Sequence, residues 1–292
     1  MGTPAVVLLN KPTDLSSFAA LGRVKRVFET RRVGHTGTLD PFAGGLLVVV
    51  VGTATKCARY FTGLEKTYVA RVRFGAETTT GDRTGDIVRT AALPADAQIR
   101  DVLPRFRGEI SQVPPAYSAI HVNGKRAYEL ARNGQEIELP ERAVTVRQLT
   151  AGSIEGDTLL LEVTCSSGTY VRTLAVDIAR AVGSAAHLVA LQRTAVGEFE
   201  VSEAIDPEAL DRSAALPLAT ALARAGIELV QTDQGVARRA VHGGAIRAEE
   251  CNGLHGGIAA LCLGDAVIAV GEWVDGVFNY HAVFPTVGIN DG

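Results

Sequence analysis

Six consecutive aliphatic residues, Leu46 to Val51 in the stretch LLVVVVG, constrain this 292-residue chain more than any other feature. A strand with one wet face alternates apolar and polar side chains. An unbroken run of this length, closed by Gly52, therefore reads as a strand covered on both faces. Something must pack on each side of it, which implies a layered domain built around a sheet. With 47% hydrophobic and 21% charged residues the chain has the material for such a core.

The flanking segments give the layers. AVVLLN reads as a second buried strand, ended by Lys11-Pro12. Ser16 or Ser17 caps a helix reaching about Phe28, with Phe18, Leu21, Val24 and Phe28 on its apolar side. ATKCARYFTGL is helical, KTYVARVRFG alternates as a strand and AETTTGDRTGD reads as loop. A helix covers Asp96 to Phe106, and two strands flank the turn Glu155-Gly156-Asp157. The helix from Val171 to Val182 repeats Val171, Leu174, Ala175, Ile178 and Ala179 at i, i+3, i+4 spacing and stops at Gly183. AHLVALQRTAVGEFE returns to strand. Strands and helices mix without a βαβ repeat, so the expected class is α+β, a mixed and largely antiparallel central sheet flanked by helices. From Val230 short strands are joined by Gly-Asp and Asp-Gly turns, which suggests a small β-barrel of about sixty residues. The expected division is 1–228 and 229–292, with an excursion from the main sheet at about 116–142.

Charge and motifs narrow the chemistry. A net charge of −3 and a pI near 6.1 give no global nucleic-acid signal. Basic residues nevertheless gather in RVKRVFETRR, with Arg23, Lys25, Arg26, Arg31 and Arg32, and in GKRAYELAR, with Lys125, Arg126 and Arg132. Taken alone such runs are solvated helix faces. The four cysteines form no C-x-x-C pair and read as reduced thiols; Cys251, His255 and Cys262 fit no common zinc spacing. There is no phosphate loop, no G-x-S-x-G, no H-E-x-x-H and no dinucleotide fingerprint after the first strand. No signal peptide and no membrane span is expected, which makes the cytoplasm the expected location.

What remains is VGHTGTLDPFAGG, just ahead of the aliphatic run. On local grounds an Asp-Pro beside glycines is a turn initiator, and His35 and Thr36 are ordinary loop residues. The same Asp40 also sits on a rigid support between a basic helix and a doubly buried strand, where loops carry functional groups.

RRVGHTGTLDPFAGGLLVVVVGTATK resembles the signature of the TruB family of tRNA pseudouridine synthases, G-H-x-G-x-L-D-P followed by A-x-G-x-L and G-x-A-T-K. LLNKPTDLSS, KTYVARVRFG, PPAYSAIHVNGKRAYELAR, CSSGTYVRTLAVDI and AHLVALQRTAVGEF resemble five further motifs of that family, in its order, from Val6 to about Ile205. The tail is similar to the small PUA-type RNA-binding domain that follows in the family. The resemblance implies the pseudouridine synthase fold and isomerisation of the T-loop uridine at position 55 of tRNA. It implies no metal or redox cofactor, and nothing in the sequence demands a membrane, an obligatory protein partner or more than a monomer.

By resemblance Asp40 is the nucleophile, Tyr68 the residue on which the flipped base stacks, and Arg172 the cation that pairs with the aspartate. Tyr170 and Leu191 line the uracil pocket, His35 contacts RNA near the flipped nucleotide, and Lys11 supports the first motif. Arg23, Lys25, Arg31, Arg32, Lys125 and Arg126 are implied phosphate contacts, and the excursion at 116–142 an insert that closes over the T loop. Asp14 stands where the family has glycine and Thr79 where it has aspartate, whereas Asp82 is retained. Two other readings stay open: an RNA-binding or tRNA-folding module, and a synthase acting on another RNA or within a guide-RNA complex. The compact chain without a long basic tail favours the stand-alone tRNA enzyme.

Overall fold

The computed structural model of the chain describes residues 4–118, 120–122, 124–132, 135, 138–251 and 256–284, with side chains for all of these except 121, 122, 125, 126 and 132. The chain begins with β1 (Ala5–Lys11), α1 (Ser17–Val27), β2 (Val33–His35) and β3 (Gly44–Val51). A 3-10 turn and α2 (Ala58–Thr62) lead into β4 (Lys66–Phe74). A small hairpin of β5 (Ala76–Thr78) and β6 (Ile87–Thr90) precedes α3 (Asp96–Val102) and β7 (Gly108–Gln112). The excursion holds β8 (His121–Val122), β9 (Lys125–Arg126) and α4 (Ala127–Arg132). The hairpin β10 (Arg142–Glu155) and β11 (Thr158–Cys165) is followed by α5 (Val171–Ala181), β12 (Ala186–Val196), β13 (Phe199–Glu200), β14 (Ala215–Pro217) and α6 (Leu218–Arg224). The last elements are β15 (Glu228–Gln231), α7 (Gln234–Val241), β16 (Gly257–Leu263), β17 (Ala266–Val274) and β18 (Val277–Val283).

The central sheet has the order β14-β1-β3-β12-β4-β11-β10-β7, with β2 paired to β3 and β13 to β12. All of these pairs are antiparallel except one. β3 and β12 run parallel and meet only at Gly44–Gln192 and Gly45–Arg193. The sheet is thus two halves joined at a narrow seam. Gly45 makes the seam possible: its φ is +101°, and a Cβ there would lie 2.3 Å from the Arg193 carbonyl oxygen.

Every residue of β3 is buried, as its unbroken run requires. Leu47, Val49 and Val51 pack with Val7 and Leu9 against Ala20, Leu21 and Val24 of α1. Leu46, Val48 and Val50 face the other way, into a cluster with Leu222 of α6, Ala260, Cys262 and Val270. The C-terminal strands therefore supply the second cover. Among the described residues they form an open sheet in the order β15-β16-β17-β18 rather than the expected barrel. Its one face packs on the central sheet and its other on Val236, Ala237 and Ala240 of α7, so both faces are dry without closure.

Two further expectations are corrected. Phe18 is not on the apolar side of α1: it is 72% exposed, because the inward stripe runs through Ser17, Ala20, Leu21 and Val24. The stretch read as loop after Phe74 opens with β5, which pairs with β6. Ser16 caps α1, its hydroxyl accepting from the Ala19 N–H. No helix among the described residues is long and apolar enough to cross a membrane.

Gly45→Ala is expected to lower unfolding stability by roughly 3 kcal/mol, through strain and the clash at the seam. Gly22→Ala, in open space on α1, should instead add about 0.5–1 kcal/mol. Urea unfolding of the two variants checks this, and equal stability would show that the seam has room.

Candidate active site

Asp40 lies in the turn between β2 and β3, and three neighbours hold that turn. The Ser17 hydroxyl accepts from the Leu39 N–H at 2.8 Å and donates to the Leu39 carbonyl at 2.9 Å. The Asp14 N–H donates to the Pro41 carbonyl at 2.7 Å. Lys11 donates to the carbonyls of Pro12, Leu15 and Pro41, and burial lowers its ammonium pKa to about 8. Asp14 adopts φ +63°, so the aspartate in the family's glycine position does take the left-handed turn.

Arg172, in the first turn of α5, meets Asp40 with its Nε 2.8 Å from Oδ2. Its side chain is only 4% exposed, whereas 33% of the Asp40 side chain stays open. Both terminal nitrogens of the guanidinium are engaged as well. Nη1 donates to the Thr80 carbonyl at 2.6 Å and faces Asp82 at 3.7 Å, and Nη2 donates to the Tyr117 carbonyl at 2.8 Å. Asp82 is itself held by the N–H and hydroxyl of Thr84 and the hydroxyl of Thr80. One guanidinium thus ties three loops. Burial raises the Asp40 carboxyl above its ordinary range, Arg172 pulls it back, and the Asp82 charge adds to the rise.

Tyr68 on β4 and Leu191 on β12 face the same core as Leu39 and Phe42 of the Asp40 turn. Burial pushes the Tyr68 phenol up. Tyr170 immediately precedes α5; Gln112 accepts from its N–H at 3.0 Å, and burial pushes its phenol up. His35 is half-buried on β2, opposite Val49. Lys11 and Leu191 also line a cleft of about 360 Å³ at the seam with Gly44, Gly45, Val69 and Arg71, and Asp40, Tyr68 and Arg172 are outside that lining.

The basic residues are not drawn into this cluster. Arg23 and Lys25 lie on α1, where Lys25 covers the Phe18 ring at 4.7 Å, and Arg31 and Arg32 are exposed on the turn after it. The side chains of Lys125 and Arg126 lie outside the described residues.

Three groups at the site were not singled out from sequence. Arg193 is 2% exposed and donates from Nε to the Leu46 carbonyl at 2.7 Å and from Nη2 to the Gly37 carbonyl at 3.0 Å. Lys66 donates to the carbonyls of Thr62 and Leu64, and burial lowers its ammonium pKa to about 8. Asp82 was noted as retained but without a partner. Arg193 and Asp82 stand inside recognisable motifs, yet the backbone carbonyls and the guanidinium they meet are remote in sequence.

Solved structures share this architecture. A Cbf5–Nop10–Gar1 complex aligns with a TM-score of 0.69 at 26% identity, over 92% of this chain and 78% of that one. An H/ACA RNP bound to a substrate RNA containing 2′-deoxyuridine aligns at 0.67 and 23%, over 92% and 77%. The fold is that of a pseudouridine synthase, as the α+β expectation and its motifs implied, with an open C-terminal sheet. Residues 25–171 match the model of the TruB family pseudouridylate synthase N-terminal domain. The tRNA pseudouridine synthase B of Bordetella parapertussis is 51% identical over 209 residues, 70% of this chain and 86% of the relative. That of Burkholderia mallei is 45% identical over 252 residues, 84% and 83%. The chain belongs to the TruB family of pseudouridylate synthases, and is an isomerase.

Arg172→Met removes the charge that opposes burial at Asp40, so the carboxyl should ionise at higher pH than in the unaltered protein. A carbon-13 NMR titration of Asp40 reads this directly. An unmoved or lowered midpoint would show that Arg172 does not act on that carboxyl.

Proposed function

We propose that the chain converts the uridine at position 55, in the T loop of tRNA, to pseudouridine, with Asp40 as the nucleophile. The observation that carries this reading is the Asp40–Arg172 pair: a carboxylate on a braced turn, bonded to a buried guanidinium and open on one side. A buried cation at that distance favours the ionised, attacking form. tRNA as substrate comes from the relatives' name, tRNA pseudouridine synthase B.

The uridine leaves its stack and enters between Tyr68 and Leu191, with Tyr170 at the pocket wall. Asp40 forms a bond to ribose C1′ as the bond to N1 breaks and is displaced when C5 joins C1′. Alternatively it adds to uracil C6, the C1′–N1 bond breaks, C5 joins C1′, and the carboxylate leaves C6 as C5 loses its hydrogen. The C5 hydrogen leaves as a proton and N1 gains one. Substrate and product contain the same atoms, so the reaction consumes no oxidant, reductant or co-substrate, and we propose that it needs no cofactor. His35 contacts the RNA, while Arg23, Lys25, Arg31, Arg32, Lys125 and Arg126 meet phosphates.

Residues 1–228 form the catalytic part in this reading, with the 116–142 insert gripping the RNA, and 229–292 a PUA-like RNA-binding part. The enzyme works as a monomer in the cytoplasm, without an obligatory protein partner. The Cbf5 structures favour the alternative of a synthase acting inside an assembly. Identities of 45–51% to the tRNA enzymes, against 26% there, favour the stand-alone tRNA enzyme.

Asp40→Asn should lower turnover by roughly 10⁴-fold or more while leaving tRNA affinity nearly unchanged. Chemical mapping of pseudouridine on an unmodified transcript, beside a binding assay, reads both. RNA bound by the unaltered protein without T-loop product contradicts the function, and unaltered rates from Asp40→Asn contradict the nucleophile.

A further inference from the structure

The outer side of α1 carries an arrangement that the fold does not use. Phe18, Gly22, Lys25 and Arg26 stand at i, i+4, i+7 and i+8, so they share one side of the helix, outside the buried stripe of Ser17, Ala20, Leu21 and Val24. Phe18 is 72% exposed, and the Lys25 ammonium covers its ring at 4.7 Å from the centroid. Lys25 thus takes one face of the ring and restrains its orientation, while the remainder of the side chain stays in water. At Gly22 a Cβ would meet nothing within 4 Å. Glycine inside a helix is less stable than alanine, and no crowding requires it here. The result is a bare, flat patch of helix beside an exposed aromatic ring.

The charge on this side has one sign. α1 contains Arg23, Lys25 and Arg26 and no acidic residue. The carboxylates that flank it in sequence, Asp14 ahead and Glu29 behind, are paired with Arg83 and Arg212. Among the described residues neither Lys25 nor Arg26 forms an ion pair. An apolar protein partner would strip water from these cations and leave them unmatched. A nucleic-acid strand matches both features, because its bases stack on aromatic rings and its phosphates pair with cations.

The patch is also continuous with the site. Phe18 follows Ser17, whose hydroxyl holds both backbone groups of Leu39, the residue before Asp40. Asp14, four residues ahead of Phe18, holds the same turn through the Pro41 carbonyl and reaches Arg83, the neighbour of Asp82. We propose that Phe18 is a stacking residue for the RNA substrate. An unpaired base from the loop that holds the target uridine lies on the open side of its ring and across Gly22, with the adjoining phosphates on Lys25 and Arg26. The identity of that RNA rests on the proposed function. What is added is a second base contact outside the pocket, and a preference for a loop over a stem, since bases inside a helix are already stacked.

The test is binding of an unmodified T stem-loop transcript, at one ionic strength, to the unaltered protein and to Phe18→Ala, Phe18→Trp and Gly22→Leu. Phe18→Ala should weaken affinity by roughly 5- to 100-fold, and Phe18→Trp should restore it to within a few-fold. Gly22→Leu lays an isobutyl group against the ring at i+4, so it should raise unfolding stability and yet weaken binding. Transcripts with one abasic nucleotide at each loop position in turn identify the base: at one position the abasic loss and the Phe18→Ala loss should not add. Three results overturn the inference: tight binding by Phe18→Ala or Gly22→Leu, no restoration by tryptophan, or additive losses at every loop position. Each would leave the patch to a protein partner. Transcript bound by the unaltered protein but lacking pseudouridine at position 55 contradicts the proposed function instead, and the affinity ratios still read Phe18.

Discussion

Arg172 places a full positive charge where almost no water reaches it, and the surrounding loops are arranged around that charge. Stripping water from a guanidinium costs several kcal/mol, and only well-aimed partners offset it. Here they are two carboxylates and two backbone carbonyls, contributed by the Asp40 turn, the Thr80–Asp82 loop and the segment holding Tyr117. None of these segments is regular structure at the point of contact, so each owes its position partly to the other two. Removing one partner from such a group leaves a buried charge uncompensated, typically at about 3–5 kcal/mol. The same guanidinium therefore shapes the pocket and sets the charge state of the proposed nucleophile.

The site stands next to the seam where β3 and β12 meet through two residue pairs. A full ladder there would close the sheet. The narrow junction, made possible by Gly45, lets the two halves part and gives Lys11 and Leu191 a common cleft. Burial of β3 on both faces keeps the Asp40 turn rigid from its C-terminal side. The C-terminal sheet provides one of those two covers, sharing a cluster with β1 and β3 through Ala260, Cys262 and Val270. It therefore supports the strand that follows the Asp40 turn.

Periodicity made the main elements readable. The aliphatic run gave β3, alternation gave β4, and the i, i+3, i+4 pattern gave α5, because each reports burial along a single segment. Phe18 shows where the pattern fails: a helix stripe built from Ser17, Ala20, Leu21 and Val24 is marked by small residues as well as large ones. The C-terminal barrel failed for another reason, since short strands with tight turns describe an open sheet equally well until its neighbours are known. At the site, local chemistry left Asp40 as a turn residue, and only the ordered motifs pointed to Tyr68 and Arg172 as partners. Arg193 and Asp82 stayed silent because their contacts are carbonyls and charges brought in by distant strands.

The central claim is that the pocket rearranges one T-loop uridine about its glycosidic bond. That chemistry has its own signature, because C5 loses its hydrogen when it becomes the point of attachment. A tRNA transcript carrying tritium at C5 of its uridines measures it directly. The account predicts release of a single equivalent of tritium to water, and none when position 55 is cytidine. No release from the uridine transcript, or equal release from both, would contradict it.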